Sequence, residues 1–157
     1  MTDATATPAG LSSPLILASA SPRRAELLRA MGVPFEVIPA EVTEHEKPDS
    51  CPAATVEHNA ALKARTVATQ YPDRWVLGAD TVVAIDGQVL HKPAYLDEAR
   101  RMLARLSDRT HHVYTGVALC GPATSRVAHV TSAVTFKPLD SDAIDGYLAI
   151  VTPLDKA

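Results

Sequence analysis

Cysteine is scarce in this sequence: Cys51 and Cys120 stand far apart, without neighbouring thiols. Neither a metal knuckle nor a disulfide framework follows from that pattern, and a reducing cytosol is the default, so a cytoplasmic location is expected. Charge of one sign is also lacking. Fifteen basic against eighteen acidic side chains leave a formal charge of −3, without the strongly basic footprint of a general nucleic-acid or anionic-membrane binder, so neither partner is expected. Any anion binding must therefore be local. Long apolar runs are missing too, since none approaches the roughly 20 residues that span a bilayer. Residues 1–14 have no basic start and no apolar stretch of signal-peptide length, and they read as a disordered tail.

Several catalytic signatures are absent. There is no GxxxxGK[ST], no GxGxxG, no GxSxG and no CxxC, which counts against P-loop ATPases, Rossmann dehydrogenases, serine hydrolases of that class and thiol redox proteins. The six histidines show no ligand spacing such as HExxH. His111 and His112 would point to opposite faces of a strand, and the histidines are taken as structural.

What is present suits one folded domain over residues 15–157, with 46% hydrophobic and 21% charged residues. Leu15 to Ser19 fits a buried strand that leads into a helix start, with Ser21 as N-cap and Pro22 at the first helical position. Gly32 ends that helix, and Phe35 to Ile38 alternates like a second strand. Glu41 to Ser50 is an acidic loop. Val56, Ala60, Ala64 and Val67 mark one face of a helix over 52–70. Trp75 to Ile85 reads as a central strand, and Asp86-Gly87 turns it into a return strand at Gln88 to Leu90. Ala99, Met102, Leu103 and Leu106 mark an amphipathic helix. Strands follow at 112–119 and 127–136, then a helix at 141–150. The alternation argues for an α/β fold on a mixed sheet.

Local rules are broken at three places. Arg23 and Arg24 place cations in the first turn of a helix, against the positive end of its dipole. Either both point to solvent, or a polyphosphate sits on the free N–H groups beside them. Asp80 interrupts an apolar strand, so its carboxylate must be hydrogen-bonded, paired or metal-bound; Gly78 nearby allows close backbone approach or a bulge. Lys63 falls where the helical stripe wants an apolar residue, so it either snorkels or reaches the same anion. Lys92, held extended by Pro93, could do likewise. Glu44, with Glu41 and Glu46, by itself reads as a solvated acidic face.

Leu17-Ala-Ser-Ala-Ser-Pro-Arg-Arg-Ala-Glu-Leu-Leu28, Leu77-Gly-Ala-Asp-Thr-Val-Val83, Lys92-Pro93, Met102-Leu-Ala-Arg-Leu-Ser107, Thr110-His111-x-Val113 and Pro153-Leu-Asp-Lys-Ala157 together resemble the Maf family of nucleoside triphosphate pyrophosphatases. The resemblance implies an elongated mixed sheet flanked by helices, like that of inosine triphosphate pyrophosphatases, with a cleft between two lobes. It implies hydrolysis of a nucleoside triphosphate to the monophosphate and pyrophosphate, with a divalent cation, Mg²⁺ or Mn²⁺. By the same resemblance Ser21, Arg24, Lys63 and Lys92 bind the substrate phosphates, Glu44 and Asp80 hold the metal, and Asp80 is the catalytic carboxylate that activates water. Arg23 and Thr81 stand where the family's 7-methyl-GTP branch has Trp and Gln, so the dTTP and UTP branch is implied.

Two departures accompany this. Asp108 replaces a glycine the family usually has after Leu-Ser, so a less favourable helix C-cap is expected. The family also continues past Leu-Asp-Lys-Ala into Gly-x-Tyr-Gly-Ile-Gln-Gly, whose glutamine is a third specificity position. A family domain lacking its C-terminal portion is therefore expected. The alternative function is a nucleotide-binding regulator of cell division, a septum formation inhibitor with little turnover. The resemblance also leaves a homodimer open.

Overall fold

The computed structural model describes residues 13–44 and 51–151. Most of the N-terminal tail, Glu46 and the Pro153 to Ala157 motif lie outside the described residues. Strand β1 (Leu15–Leu17) leads into α1 (Pro22–Ala30), followed by β2 (Phe35–Val37) and α2 (Pro52–Ala68). Next come β3 (Val76–Ile85), β4 (Gln88–Leu90), α3 (Leu96–Leu106), β5 (Thr110–Cys120), β6 (Ser125–Thr135) and α4 (Ser141–Ile150). Each expected element is present, with ends shifted by a residue or two.

Local chemistry sets the boundaries. Pro22 at the first position of α1 gives up an N–H that no intrahelical acceptor would have met, and Gly32, at φ 68°, ends the helix in the left-handed region. Asp86 and Gly87 both have positive φ, 54° and 73°, as a two-residue turn matched to the twist of its strands requires. Asp108 also adopts φ 54°, a conformation glycine takes more cheaply, which explains the residue type expected there. The neighbouring loop compensates: Leu139 N donates to Ser107 Oγ at 2.7 Å, and Asp108 N donates to Lys137 O at 3.3 Å.

The sheet is mixed, ordered β2-β1-β3-β5-β6, with β4 paired to β3 off that path. Strands β1, β2 and β3 are parallel, and the remaining pairs are antiparallel. Strand β5 pairs with β3 without interruption from Val76 to Ala84, so there is no bulge at Gly78. The other edge of β3 is shared. Strand β1 covers it as far as Leu77, and β4 takes over at Val83. Residues 79–82 lie in the gap between them, where one edge of a central strand has no strand neighbour among the described residues.

Helix α2 packs on one face over Ile16, Val76 and Ala118. Helix α1 covers Leu15 and Leu17 on the opposite face, and α3 covers Val83, Ile85 and Leu90 farther along. Val56, Val67 and Val76 are at most 1% exposed, each contributing about 1.5–3 kcal/mol through burial. Glycine decides how closely α2 can sit. A Cβ on Gly78 would lie 2.2 Å from Ala60 O, and one on Gly116 would lie 2.3 Å from Val56 O. Close approach is therefore the role of Gly78, and Gly116, the partner of Asp80 across the sheet, does the same one strand away.

Candidate active site

The gap in the β3 edge is where the site forms. Asp80 lies there at 4% exposure, and the close seating of α2 brings two of its side chains, Asn59 and Lys63, to that carboxylate. They are four residues apart and so share a helix face. Asn59 Nδ2 donates to Asp80 Oδ2 at 3.0 Å, while Lys63 Nζ donates to Asp80 Oδ1 at 2.9 Å. Lys63 Nζ also reaches Ala79 O at 3.3 Å, a carbonyl that a neighbouring strand would otherwise occupy. Glu44 Oε1, from the segment after β2, completes the cluster at 2.8 Å from Lys63 Nζ. Lys63 thus does not snorkel; it is buried and paired with two carboxylates, and Asp80 is both paired and hydrogen-bonded.

Helix α1 supplies the other half. Ser21 caps it with extended backbone, but its side chain makes no capping hydrogen bond, which leaves first-turn N–H groups facing outward for an anion. Arg24 turns inward: Nη1 donates to Ser19 Oγ at 2.8 Å and Nη2 to Thr81 Oγ1 at 3.3 Å. The Thr81 hydroxyl also meets that of Thr115 at 3.2 Å. Burial pulls the Arg24 guanidinium below its ordinary pKa, while Asp80 and Glu44 raise it and Arg23 lowers it; it remains a cation. Arg23 is exposed. The solvent reading therefore holds for one arginine and fails for the other.

A cleft of about 1210 Å³ unites these parts. Ser21, Arg23, Arg24, Glu44, Lys63, Asp80, Thr81 and Lys92, the full set singled out from sequence, all line it. Ser19, Asn59, Thr115 and His111 were missed as site residues. Asn59 had a legible signal, being four residues before Lys63 on the same helix. Thr115 had none, because only the pairing of β5 with β3 at Thr81 brings it in.

Two carboxylate oxygens within 2.9 Å of one ammonium nitrogen are hard donors that converge on a single point. No group of three or more His, Cys, Asp and Glu able to hold a metal occurs among the described residues. The donor set therefore fits a hard divalent ion that completes its shell with water and phosphate oxygens, rather than one caged by protein alone.

Fold and site together define a mixed α/β protein with a cation-lined cleft built around a buried carboxylate. Among solved structures it is similar to the Staphylococcus aureus Ham1 protein, with a TM-score of 0.54 and 16% identity over 77% of this chain and 70% of that one. That likeness shows the fold alone. The family model described as Maf-like protein matches residues 14–157, and the chain belongs to the Maf-like family. It is 52% identical over 143 residues to the dTTP/UTP pyrophosphatase of Symbiobacterium thermophilum, covering 91% of this chain and 74% of the relative. The protein of the same name from Moorella thermoacetica is 51% identical over 149 residues, 92% of this chain and 76% of that protein. No described helix is long and apolar enough to cross a membrane.

Proposed function

We propose that this chain hydrolyses dTTP and UTP to the monophosphate and pyrophosphate, acting in the cytoplasm to remove unwanted nucleotides. The observation that carries the reading is Asp80, a buried carboxylate at the edge of a cleft lined by Arg24, Lys63 and Lys92. The names of the relatives supply the nucleotide. Nothing observed favours a regulator with little turnover.

A water beside Asp80 attacks the α-phosphorus, and the carboxylate accepts its proton. The bond from that phosphorus to the bridging oxygen breaks, and pyrophosphate leaves with the electron pair. Arg24 and the α1 N-terminus bind phosphate oxygens, with Ser21 and Lys92 beside them. Lys63 is held between Asp80 and Glu44 and can turn its charge toward the incoming phosphates, freeing Asp80 Oδ1. Both carboxylates would hold Mg²⁺ or Mn²⁺, which when bound supplies positive charge to the phosphate oxygens. Arg23 at the cleft rim and Thr81 in its floor are the specificity positions.

The test is pyrophosphate release from dTTP, UTP, CTP and 7-methyl-GTP with Mg²⁺, repeated with Asp80→Asn. Turnover of dTTP and UTP should dominate, and the substitution should lower kcat by about 100-fold or more. Unchanged turnover in Asp80→Asn would remove the proposed role of Asp80.

A further inference from the structure

The sequence holds a single asparagine, Asn59, and the fold buries it to 2% exposure on the core-facing side of α2. Apart from Lys63, the rest of that stripe is hydrocarbon, from Val56, Ala60, Ala64 and Val67. Residue 59 follows Val56 by three, where the helical period wants an apolar side chain. An amide in such a place destabilises the fold unless its polar atoms are engaged. Its partner is Asp80, whose Oδ2 accepts from Asn59 Nδ2 at 3.0 Å. An ionised carboxylate only accepts, so the NH2 end of the amide has to face it. The mount is rigid. Val56 O and Ala60 O, on either side of Asn59 in the chain, are the atoms that a Cβ on Gly116 or Gly78 would strike, so α2 sits tight against both strands at this turn. Asn59 itself does not line the cleft, whereas Asp80 and Lys63 do.

We propose that Asn59 is a positioning residue that fixes which oxygen of Asp80 meets the substrate. The inference rests on the hydrolytic reading above and adds a division of labour between the two partners of the carboxylate. In the resting protein each oxygen has its own side-chain donor, Lys63 Nζ at 2.9 Å from Oδ1 and Asn59 Nδ2 at 3.0 Å from Oδ2. The two donors differ in charge and reach. Lys63 is a cation on a flexible four-carbon stem and can swing to phosphate oxygens. Asn59 is neutral and short, and from behind Asp80 it stays where it is. Once Lys63 has left, Asp80 alone would turn about its Cβ–Cγ bond, a broad two-fold torsion, and either oxygen could face the cleft. The bond from Asn59 stops that rotation, keeping Oδ2 on α2 and Oδ1 toward the attacking water. It also leaves the buried carboxylate with a partner after the lysine departs. A hydrogen bond to an ionised acceptor is about twice as strong as a neutral one, which suits a fixture that has to outlast its neighbour.

Because the asparagine is unique, protein labelled with ¹⁵N at its asparagine side chain gives one NH2 signal, which reads this bond without any turnover. In the wild type one proton of the pair should lie downfield and exchange slowly with solvent. Both features should persist in Lys63→Met, which frees Oδ1 without a ligand. Return of the signal to the position and exchange rate of a free amide in Lys63→Met would overturn the proposal. Catalysis is read with Asn59→Leu, which suits the apolar stripe, and Asn59→Asp, which keeps the shape and loses the donor. Pyrophosphate release from dTTP should show kcat lowered about 10-fold or more in both, the effect of one hydrogen bond to a charged group, with KM within about two-fold of the wild type. An undiminished kcat in folded Asn59→Leu would overturn the positioning role, even if KM rose. Wild-type protein that releases no pyrophosphate would refute the activity instead, and the amide signal would then decide by itself whether Asn59 holds Asp80.

Discussion

Replacing Lys63 by methionine tests the centre of the site more directly than any change to Asp80. Methionine keeps most of the side-chain volume and removes the ammonium that lies 2.8 Å from Glu44 and 2.9 Å from Asp80. Two costs follow. The Glu44 side chain is 44% exposed, so water replaces the lost partner and that bridge is worth at most about 1 kcal/mol. Asp80 is nearly inaccessible to solvent, and stripping one partner from a buried ion pair costs about 3–5 kcal/mol. Asn59 still donates to Oδ2, which holds the total near the lower figure, about 3 kcal/mol. Urea unfolding at neutral pH should show this as a lower midpoint with an unchanged m-value. A second signature follows from the vacated position between the carboxylates: Mn²⁺ should raise the midpoint of Lys63→Met more than that of the wild type. A loss below about 1 kcal/mol at unchanged m would refute the reasoning, because it would mean that the ammonium is not a required partner of a buried carboxylate.

Gly116→Ala would place a Cβ 2.3 Å from Val56 O; it should destabilise the protein by about 1–3 kcal/mol in urea melts and lower kcat by shifting Asn59 and Lys63 away from Asp80. The pH dependence of stability should carry a contribution from His111, whose folded pKa lies below 6.5 because burial disfavours the cation. Between the folded and unfolded values the unfolded chain binds more protons, so this contribution is present above the unfolded pKa and is lost as pH falls through the folded one. His111→Phe should flatten that limb of the urea-midpoint profile, and a profile identical to wild type would refute the assignment.

Much of the fold could be read from the sequence because punctuation and periodicity agree at each element. Pro22 starts a helix, Gly32 stops it, Asp86-Gly87 closes a hairpin, and the valine-rich run before that turn is the central strand. The local rule-breakers Arg24, Lys63 and Asp80 were legible for the opposite reason: each conflicts with its own element, and the structure gathers all three into one cleft. The fate of each arginine was not legible, since a first-turn position permits either direction and only Ser19 and Thr81 draw Arg24 inward. The helical stripe allowed Lys63 to snorkel. Its burial depends on Glu44 and Asp80 arriving from separate segments, which no local pattern encodes. His111 obeys the alternation of its strand perfectly well, so it gave no warning that its ring would border the cleft.

The charge lining the cleft fixes what form of guest it can accommodate. Among the described residues, Arg23, Arg24, Lys63 and Lys92 stand against Glu26, Glu44 and Asp80, which leaves a single surplus positive charge. A triphosphate brings about four negative charges at neutral pH. The internal pairing that keeps Asp80 and Lys63 stable in the resting protein therefore also engages one of those four cations before any ligand arrives. The deficit has to be met by positive charge that enters with the ligand, so a bare triphosphate is a poorer match than one already carrying a divalent ion.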